Sequence, residues 1–230
     1  MLKKPPVRTV LCGAFVLAEL TLGILLQILS GAAVVWCSYS AVLLACAFAF
    51  LFFSKTNAYF FTQAALLATV CADYFLVLRG AEQKLVAMLF FSATQLCYFG
   101  RIYLAEKKGK CHTVHGFLRI LVPVLTLLIT LWVLGSGADG VALVSMFYFA
   151  NLTLNVIFSF MLREKPPLLA VGLLLFACCD VFVGLSLIEG YLPLTPGSLI
   201  YRLAHPGFNL AWMFYVPSQA LLALSLSKKT

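Results

Sequence analysis

Long uninterrupted apolar runs constrain this chain more than any other feature. Eight can be drawn, over 10–29, 33–53, 58–78, 85–104, 117–134, 141–162, 168–187 and 198–226. A helix crossing a bilayer uses ~20 predominantly apolar residues, and each run is long enough for one crossing. In hydrocarbon the backbone must satisfy its own hydrogen bonds, so such runs become helices unless they alternate with the period of two of a barrel strand, and that alternation is absent here. The expected fold is all-α, a polytopic integral membrane bundle of eight transmembrane helices. The breaks carry turn chemistry: Ser30-Gly31, Lys55-Thr56-Asn57, Arg79-Gly80, Gly135 to Gly140, Lys165-Pro166-Pro167 and Pro193 to Gly197. Eight spans consume most of the 230 residues and leave a single transmembrane domain over 1–230.

Composition excludes the alternatives. With 63% hydrophobic and 10% charged residues, a soluble globular domain is ruled out. The net charge of +8 is no sign of a nucleic-acid partner, because the cations cluster at the ends of apolar runs, where anionic lipid headgroups lie. A cytoplasmic N-terminus puts Lys3, Lys4, Arg8, Lys55, Arg101, Lys107, Lys108, Lys110, Arg119, Arg163, Lys165, Lys228 and Lys229 inside, against Arg79, Lys84 and Arg202 outside. By the positive-inside rule that bias sets the orientation, and an even number of spans makes both termini cytoplasmic. The first run has a basic start, as signal peptides do, but Glu19 interrupts it and it has the length of a span, so it is read as the first helix. The expected location is an integral one, in the plasma membrane.

Several local patterns carry no function on this reading. Gly135, Gly137 and Gly140 spell a dinucleotide-binding fingerprint without a preceding strand, and Asn151-Leu152-Thr153 spells a glycosylation sequon inside a span. The eight cysteines include no C-x-x-C and read as packing residues. Cys111, His112 and His115 share one loop, but three ligands without a fourth make no structural zinc site, so neither metal nor cofactor is expected.

Ionisable residues inside a bilayer are costly and usually functional. Glu19, Asp73 and Asp180 are the acids well inside the runs. At ~1.5 Å per residue, Asp73 and Asp180 lie ~7 and ~10 Å below the outer ends of their helices, at one depth. Arg202 and His205, near the start of the last run, share that layer, so two carboxylates, a guanidinium and an imidazole are expected to converge. Residues three, four and seven apart share a helix face. This groups Arg202, His205, Asn209 and Trp212, then Ser92, Gln95 and Tyr98, then Asn151 and Asn155. Pro206 is expected to loosen the backbone near Arg202. For Asn151, Asn155 and Ser92 the commoner use of such residues is hydrogen bonding between helices. Glu19 either pairs structurally with an Arg or Tyr or faces the cavity. Cys71-Ala72-Asp73-Tyr74-Phe75 returns faintly as Cys178-Cys179-Asp180-Val181-Phe182, which ties the two aspartates together.

From helix 3 to the C-terminus these positions resemble the YhhN family of eight-helix membrane proteins, whose characterised animal members are lysoplasmalogenases. A family Gly-Asp followed by apolar residues matches Ala72-Asp73-Tyr74-Phe75-Leu76, and Phe-x-x-Ser-Asp matches Phe176-Ala177-Cys178-Cys179-Asp180. The helix 4 pattern, a His followed three residues later by Tyr, aligns with Gln95 and Tyr98, and a terminal Tyr-x-x-x-Gln-x-Leu aligns with Tyr215 to Leu221, including Gln219. The departures are Ala72 for Gly, Cys179 for Ser and Gln95 for His. A glutamine replaces an imidazole that donates a hydrogen bond but not one that moves protons.

The resemblance implies hydrolysis of the vinyl ether of a lysophospholipid, with membrane lipids as the surrounding partners. Protonation at carbon gives an oxocarbenium ion that water traps, which needs one carboxylic acid and one carboxylate, as in glycosidases. Asp73 and Asp180 are the candidate pair. Arg202 is the candidate phosphate contact, and Gln95 and Tyr98 are the candidates for positioning water or the ether oxygen, with Glu19, His205, Asn209, Tyr215 and Gln219 around them. The rival readings are a small-solute or proton-coupled transporter and a lipid binder without turnover. Sequence leaves the oligomeric state open.

Overall fold

The computed structural model describes residues 7–52, 57–106, 110–162, 167–205 and 208–227. Among them there is no strand, and the chain is a bundle of helices. These are α1 (Val7–Ile28), α2 (Ala32–Phe50), α3 (Asn57–Asp73), α4 (Lys84–Ala105), α5 (Lys110–Leu134), α6 (Gly140–Met161), α7 (Leu168–Leu187), α8 (Leu199–Ala204) and α9 (Leu210–Leu224). Seven helices among the described residues are long and apolar enough to cross a membrane, and α9 is a shorter apolar helix of 15 residues. Many of the cations behind the topology reading, including Lys3, Lys4, Lys55, Lys107, Lys108, Arg163, Lys165, Lys228 and Lys229, lie outside the described residues.

Two boundaries depart from expectation. The run at 198–226 is not one helix. α8 ends at His205, and α9 begins after Asn209, whose side chain caps the Trp212 amide at 3.3 Å. Pro206 and Gly207 lie outside the described residues, and the loosening expected from Pro206 with them. The stripe drawn through Arg202, His205, Asn209 and Trp212 therefore has no continuous helix to carry it. α5 in turn starts seven residues before the expected 117, so the residues around His115 are helical and not a loop.

Side chains cap the starts of α6, α8 and α9. Asp139 caps α6, accepting from the Ala142 amide at 2.7 Å, and Tyr191, just past α7, donates to the same carboxylate at 3.1 Å. Burial, then that bond and the charge of Asp139, raise the Tyr191 phenol above its ordinary value, so the bond survives through neutral pH. Gly80, at φ +79, takes the turn into α4 through backbone that other residues rarely adopt.

Neighbouring helices pack in the order α1, α2, α3, α4, α6, α7, α9 and back to α1, with α5 set against the outside of α6. α9 reaches inward to touch α2 and α3 as well. Tyr98, Phe176, Leu66, Leu152, Leu173 and Leu222 are fully buried in the core, whereas Trp132 and Ile120 of α5 are 85% and 71% exposed, as lipid-facing residues are. Close approach of α7 and α9 depends on Gly172. A Cβ there would meet Leu222 Cγ at 2.9 Å and the Leu222 backbone nitrogen at 3.2 Å.

Gly172→Ala is expected to destabilise the protein by about 1–3 kcal/mol through overpacking, despite the better helix propensity of alanine. Gly184, on the same helix with nothing within 4 Å of its virtual Cβ, should accept alanine with no loss. Thermal unfolding of both variants in detergent micelles checks the contrast in sign.

Candidate functional site

The two aspartates face the same interior. Asp73 closes α3 and Asp180 lies on α7, within electrostatic reach of Asp73. Each is held by a tyrosine from a different helix. Tyr215 of α9 donates to Asp73 Oδ2 at 2.6 Å, and Tyr148 of α6 donates to Asp180 Oδ2. The rings that carry these hydroxyls belong to one aromatic chain. Tyr148 packs on Phe91 at 5.6 Å between centroids, Phe91 on Phe176 at 6.1 Å, Phe176 on Tyr215 at 5.5 Å and Tyr215 on Trp212 at 5.7 Å. Cys179, buried beside Asp180, interacts electrostatically with both acids.

The acids differ in access. Asp73 is 2% exposed, while Asp180 is only half-buried. Directly after Asp73 the helix widens, and Tyr74–Leu78 continues with i→i+5 hydrogen bonds, closed by Arg79 N to Tyr74 O at 3.1 Å. Such wide turns recur at functional sites. A turn above Asp180, a groove of about 570 Å³ opens between α7, α8 and α9, lined by Phe182, Val183, Ser186, Phe208, Asn209 and Trp212 among others.

Arg202 and His205 do not join the carboxylates. Both are exposed on and just after α8, where His205 Nδ1 faces the Tyr201 carbonyl at 3.0 Å and Nε2 lies 3.5 Å from Glu189. The expected convergence of four ionisable groups is thus replaced by two acids and two tyrosines, because the last run breaks and carries Arg202 and His205 outward. Ser92 bonds the Met88 carbonyl of its own helix at 2.9 Å.

A turn below the acids lies a tier of buried amides and hydroxyls. Registers on both sides of α9 set its level. Tyr215 meets Asp73, and Arg101 of α4 donates 2.7 Å bonds to Thr62 of α3 and Ser225 of α9. Between these rungs, Gln219 falls level with Thr69 and Gln95. Across the α1–α9 contact, Gln27 bonds the Asn209 carbonyl at 3.2 Å and a Cβ on Gly23 would lie 3.7 Å from Val216, which puts Glu19 level with Gln219. Glu19, Gln95, Tyr98, Ser218 and Gln219 are all buried, and each has a side-chain polar atom without a hydrogen-bond partner.

Behind Gln95 stands a network that the sequence reading missed. Arg119 of α5 donates from Nε to His115 Nε2 at 3.0 Å, from Nη1 to the Asn151 carbonyl at 3.1 Å, and from Nη2 to Asn155 Oδ1. Asn155 Nδ2 in turn donates to Gln95 Oε1 at 2.9 Å, and His115 Nδ1 meets Glu106 Oε2 at 2.8 Å. Arg119 and Arg101, read as cations at the membrane surface, turn to partners within the bundle instead: Arg101 is buried against the hydroxyls of Thr62 and Ser225, and half-buried Arg119 bonds His115, Asn151 and Asn155. Arg119 lay within the apolar run at 117–134, which was the available signal. Tyr148 was equally visible, as it continues the Asn151 and Asn155 stripe upward by one turn. The side chains of Cys111 and His112 lie outside those described, and His115 is turned toward Glu106 and Arg119.

Comparison of the chain with protein-family models, with characterised proteins and with solved structures finds no match.

Tyr215→Phe, which leaves Asp73 Oδ2 without its donor, is expected to cost about 1–3 kcal/mol. In an Asp73→Asn background the same change should cost measurably less, because the two groups act as one unit. A double-mutant cycle by unfolding in detergent reads the difference.

Proposed function

We propose that this protein is a membrane-embedded hydrolase of the lysoplasmalogenase type, cleaving the vinyl ether bond of a lysophospholipid. The observation that carries the reading is the placement of Asp73 and Asp180 within electrostatic reach in the bundle, each held by a tyrosine hydroxyl. The resemblance to the YhhN family rests on the same two residues and on Tyr215 and Gln219, and it supplies the substrate class.

The chemistry asks for two carboxyls in different protonation states. One, as the acid, gives its proton to the β-carbon of the vinyl ether. The other, as the anion, faces the oxocarbenium ion that forms. Water adds to the cationic carbon and loses a proton to the first carboxylate. The hemiacetal then splits into a fatty aldehyde and the alcohol of the glycerophospho group. Two acids that feel each other's charge in a site with little water do not both ionise freely. The groove above Asp180 lies in the size range of small-molecule sites. Its phenylalanines suit the alkenyl chain, and Arg202, exposed on α8, is the candidate phosphate contact.

The proposal includes an eighth crossing by α9, with both termini cytoplasmic in the plasma membrane. Its support is that α9 runs from the level of Gln27, at one end of α1, to the level of Arg101, near the opposite end of the bundle. The charge bias of the sequence agrees.

Incubating purified protein with lysolipids that differ only in vinyl ether, alkyl ether or ester linkage, followed by mass spectrometry, tests the activity. Free fatty aldehyde should form from the vinyl ether alone. Asp73→Asn and Asp180→Asn should each abolish it, and the double variant should lose no more than either single one. Near-normal turnover by either single variant would remove the carboxyl pair from the mechanism.

A further inference from the structure

An arginine side chain can only donate hydrogen bonds, and that property propagates through the network behind Gln95. Because Arg119 Nη2 donates, the Asn155 atom that faces it must be the carbonyl oxygen Oδ1. The Asn155 amide nitrogen then points the other way, toward α4, and needs acceptors. It finds them in the Gln95 backbone carbonyl and in Gln95 Oε1, both at 2.9 Å. With its oxygen engaged, Gln95 has one orientation left. Its Nε2 is directed away from Asn155, is buried with no hydrogen-bond partner, and belongs to a side chain that is 0% exposed.

That nitrogen lies close to the acid tier. Gln95 follows Phe91 by one turn on the same face of α4, and Phe91 packs on Tyr148 and Phe176 among the rings that hold the carboxyls. Tyr98, on the same face, also keeps its hydroxyl without a partner. A buried N–H pair fixed in direction and left unpaired costs free energy unless it serves an acceptor.

We propose that Gln95 Nε2 is the fixed donor of a buried subsite for an acceptor oxygen of the ligand, and that Arg119 is a positioning residue that sets the polarity of this subsite through Asn155. The inference rests on the proposed function for the identity of the ligand, a lysolipid whose ether or hydroxyl oxygen accepts the bond. Arg119 and Asn155 stand outside the subsite and touch no ligand in this scheme. Glutamine in this place binds an oxygen but passes no proton, so proton transfer stays with the acids above.

Asn155→Asp separates polarity from packing. The carboxylate keeps its shape and pairs well with Arg119, but it offers Gln95 only acceptors. Gln95 must then turn its amide toward residue 155 and present its oxygen to the subsite. Spectra of the protein with ¹⁵N-glutamine side chains, in micelles and without ligand, should show the Gln95 amide protons shift downfield in Asn155→Asp. The non-hydrolysable alkyl-ether lysolipid, added to the native protein, should shift the same protons. Its affinity should fall roughly tenfold or more in Asn155→Asp and in Gln95→Glu, with Asn155→Asp still folding cooperatively, at a lowered unfolding temperature because its carboxylate also faces the Gln95 backbone carbonyl. Arg119→Lys, still a donor alone, should keep most of the affinity that Arg119→Gln loses.

Unchanged amide signals in Asn155→Asp would overturn the polarity argument. Unchanged affinity in that variant, while the native protein binds the analogue and cleaves the vinyl ether, would overturn the subsite and leave the proposed function standing. If the native protein bound no lysolipid, the subsite and the proposed function would fall together.

Discussion

Hydrocarbon offers no hydrogen bonds, and the arrangement of this bundle follows from that single constraint. A polar side chain on a lipid-facing helix must find its partner inside the protein or remain unsatisfied at a cost. The apolar faces of α1 and α5 are turned outward, while Glu19, Asp73, Gln95, Arg101, Asn155 and Gln219 are all buried. Helices that are apolar almost all round, such as α7, contribute few polar groups, and those few decide which face turns in. For α7 this is Asp180, which turns toward Tyr148 of α6 and the centre, while the close contact at Gly172 seats the helix on α9.

The same constraint explains what was legible in the sequence. Apart from α5 and the last run, run lengths gave helix positions to within a few residues, since there a break in hydropathy is also a break in the structure. The paired depth of Asp73 and Asp180 was legible because rise per residue converts position into level. The partners of these acids were harder to see. Tyr148 and Tyr215 are ordinary aromatic residues in aromatic-rich helices, and only the packing of α6 and α9 shows which tyrosines face an acid. Arg119 and Arg101 were assigned to the membrane surface by a rule about loops. Rules of that kind count charge near helix ends and do not ask whether an amide or hydroxyl one helix away can take the guanidinium inside.

The last run shows the opposite failure. Its hydropathy is continuous enough to suggest one span, yet it contains Pro206-Gly207, a breaker pair. Reading Pro206 as a kink preserved the stripe from Arg202 to Trp212. The chain leaves the helix at His205 and re-enters after Asn209, with a side-chain cap at Trp212 N. An interrupted helix exposes backbone carbonyls and amides that a span cannot expose to lipid, so the interruption belongs near water or headgroups. It also leaves the groove beside Phe182 and Trp212 uncovered. The break that removed two ionisable residues from the site thus borders an open groove one turn along α7 from Asp180.

Two tiers of different polarity result, and they bear on the choice between hydrolysis and transport. In the upper tier carboxyls bond to hydroxyls, groups that exchange protons. From Gln95 a chain of hydrogen bonds runs through Asn155 to Arg119. Two amides and a guanidinium are poor carriers, since none of them gains or loses a proton near neutral pH. Along this route a proton arriving at the acids from the outer side stops there. The route through Gln95, Asn155 and Arg119 thus suits chemistry at the level of the carboxyls, where a carboxyl gives up its proton and takes one back, while Glu19, level with Gln219, is a second acid in the lower tier. Under the proposed function such local exchange is the demand of an acid-catalysed hydrolysis, whereas proton-coupled transport would need a route through Glu19 instead.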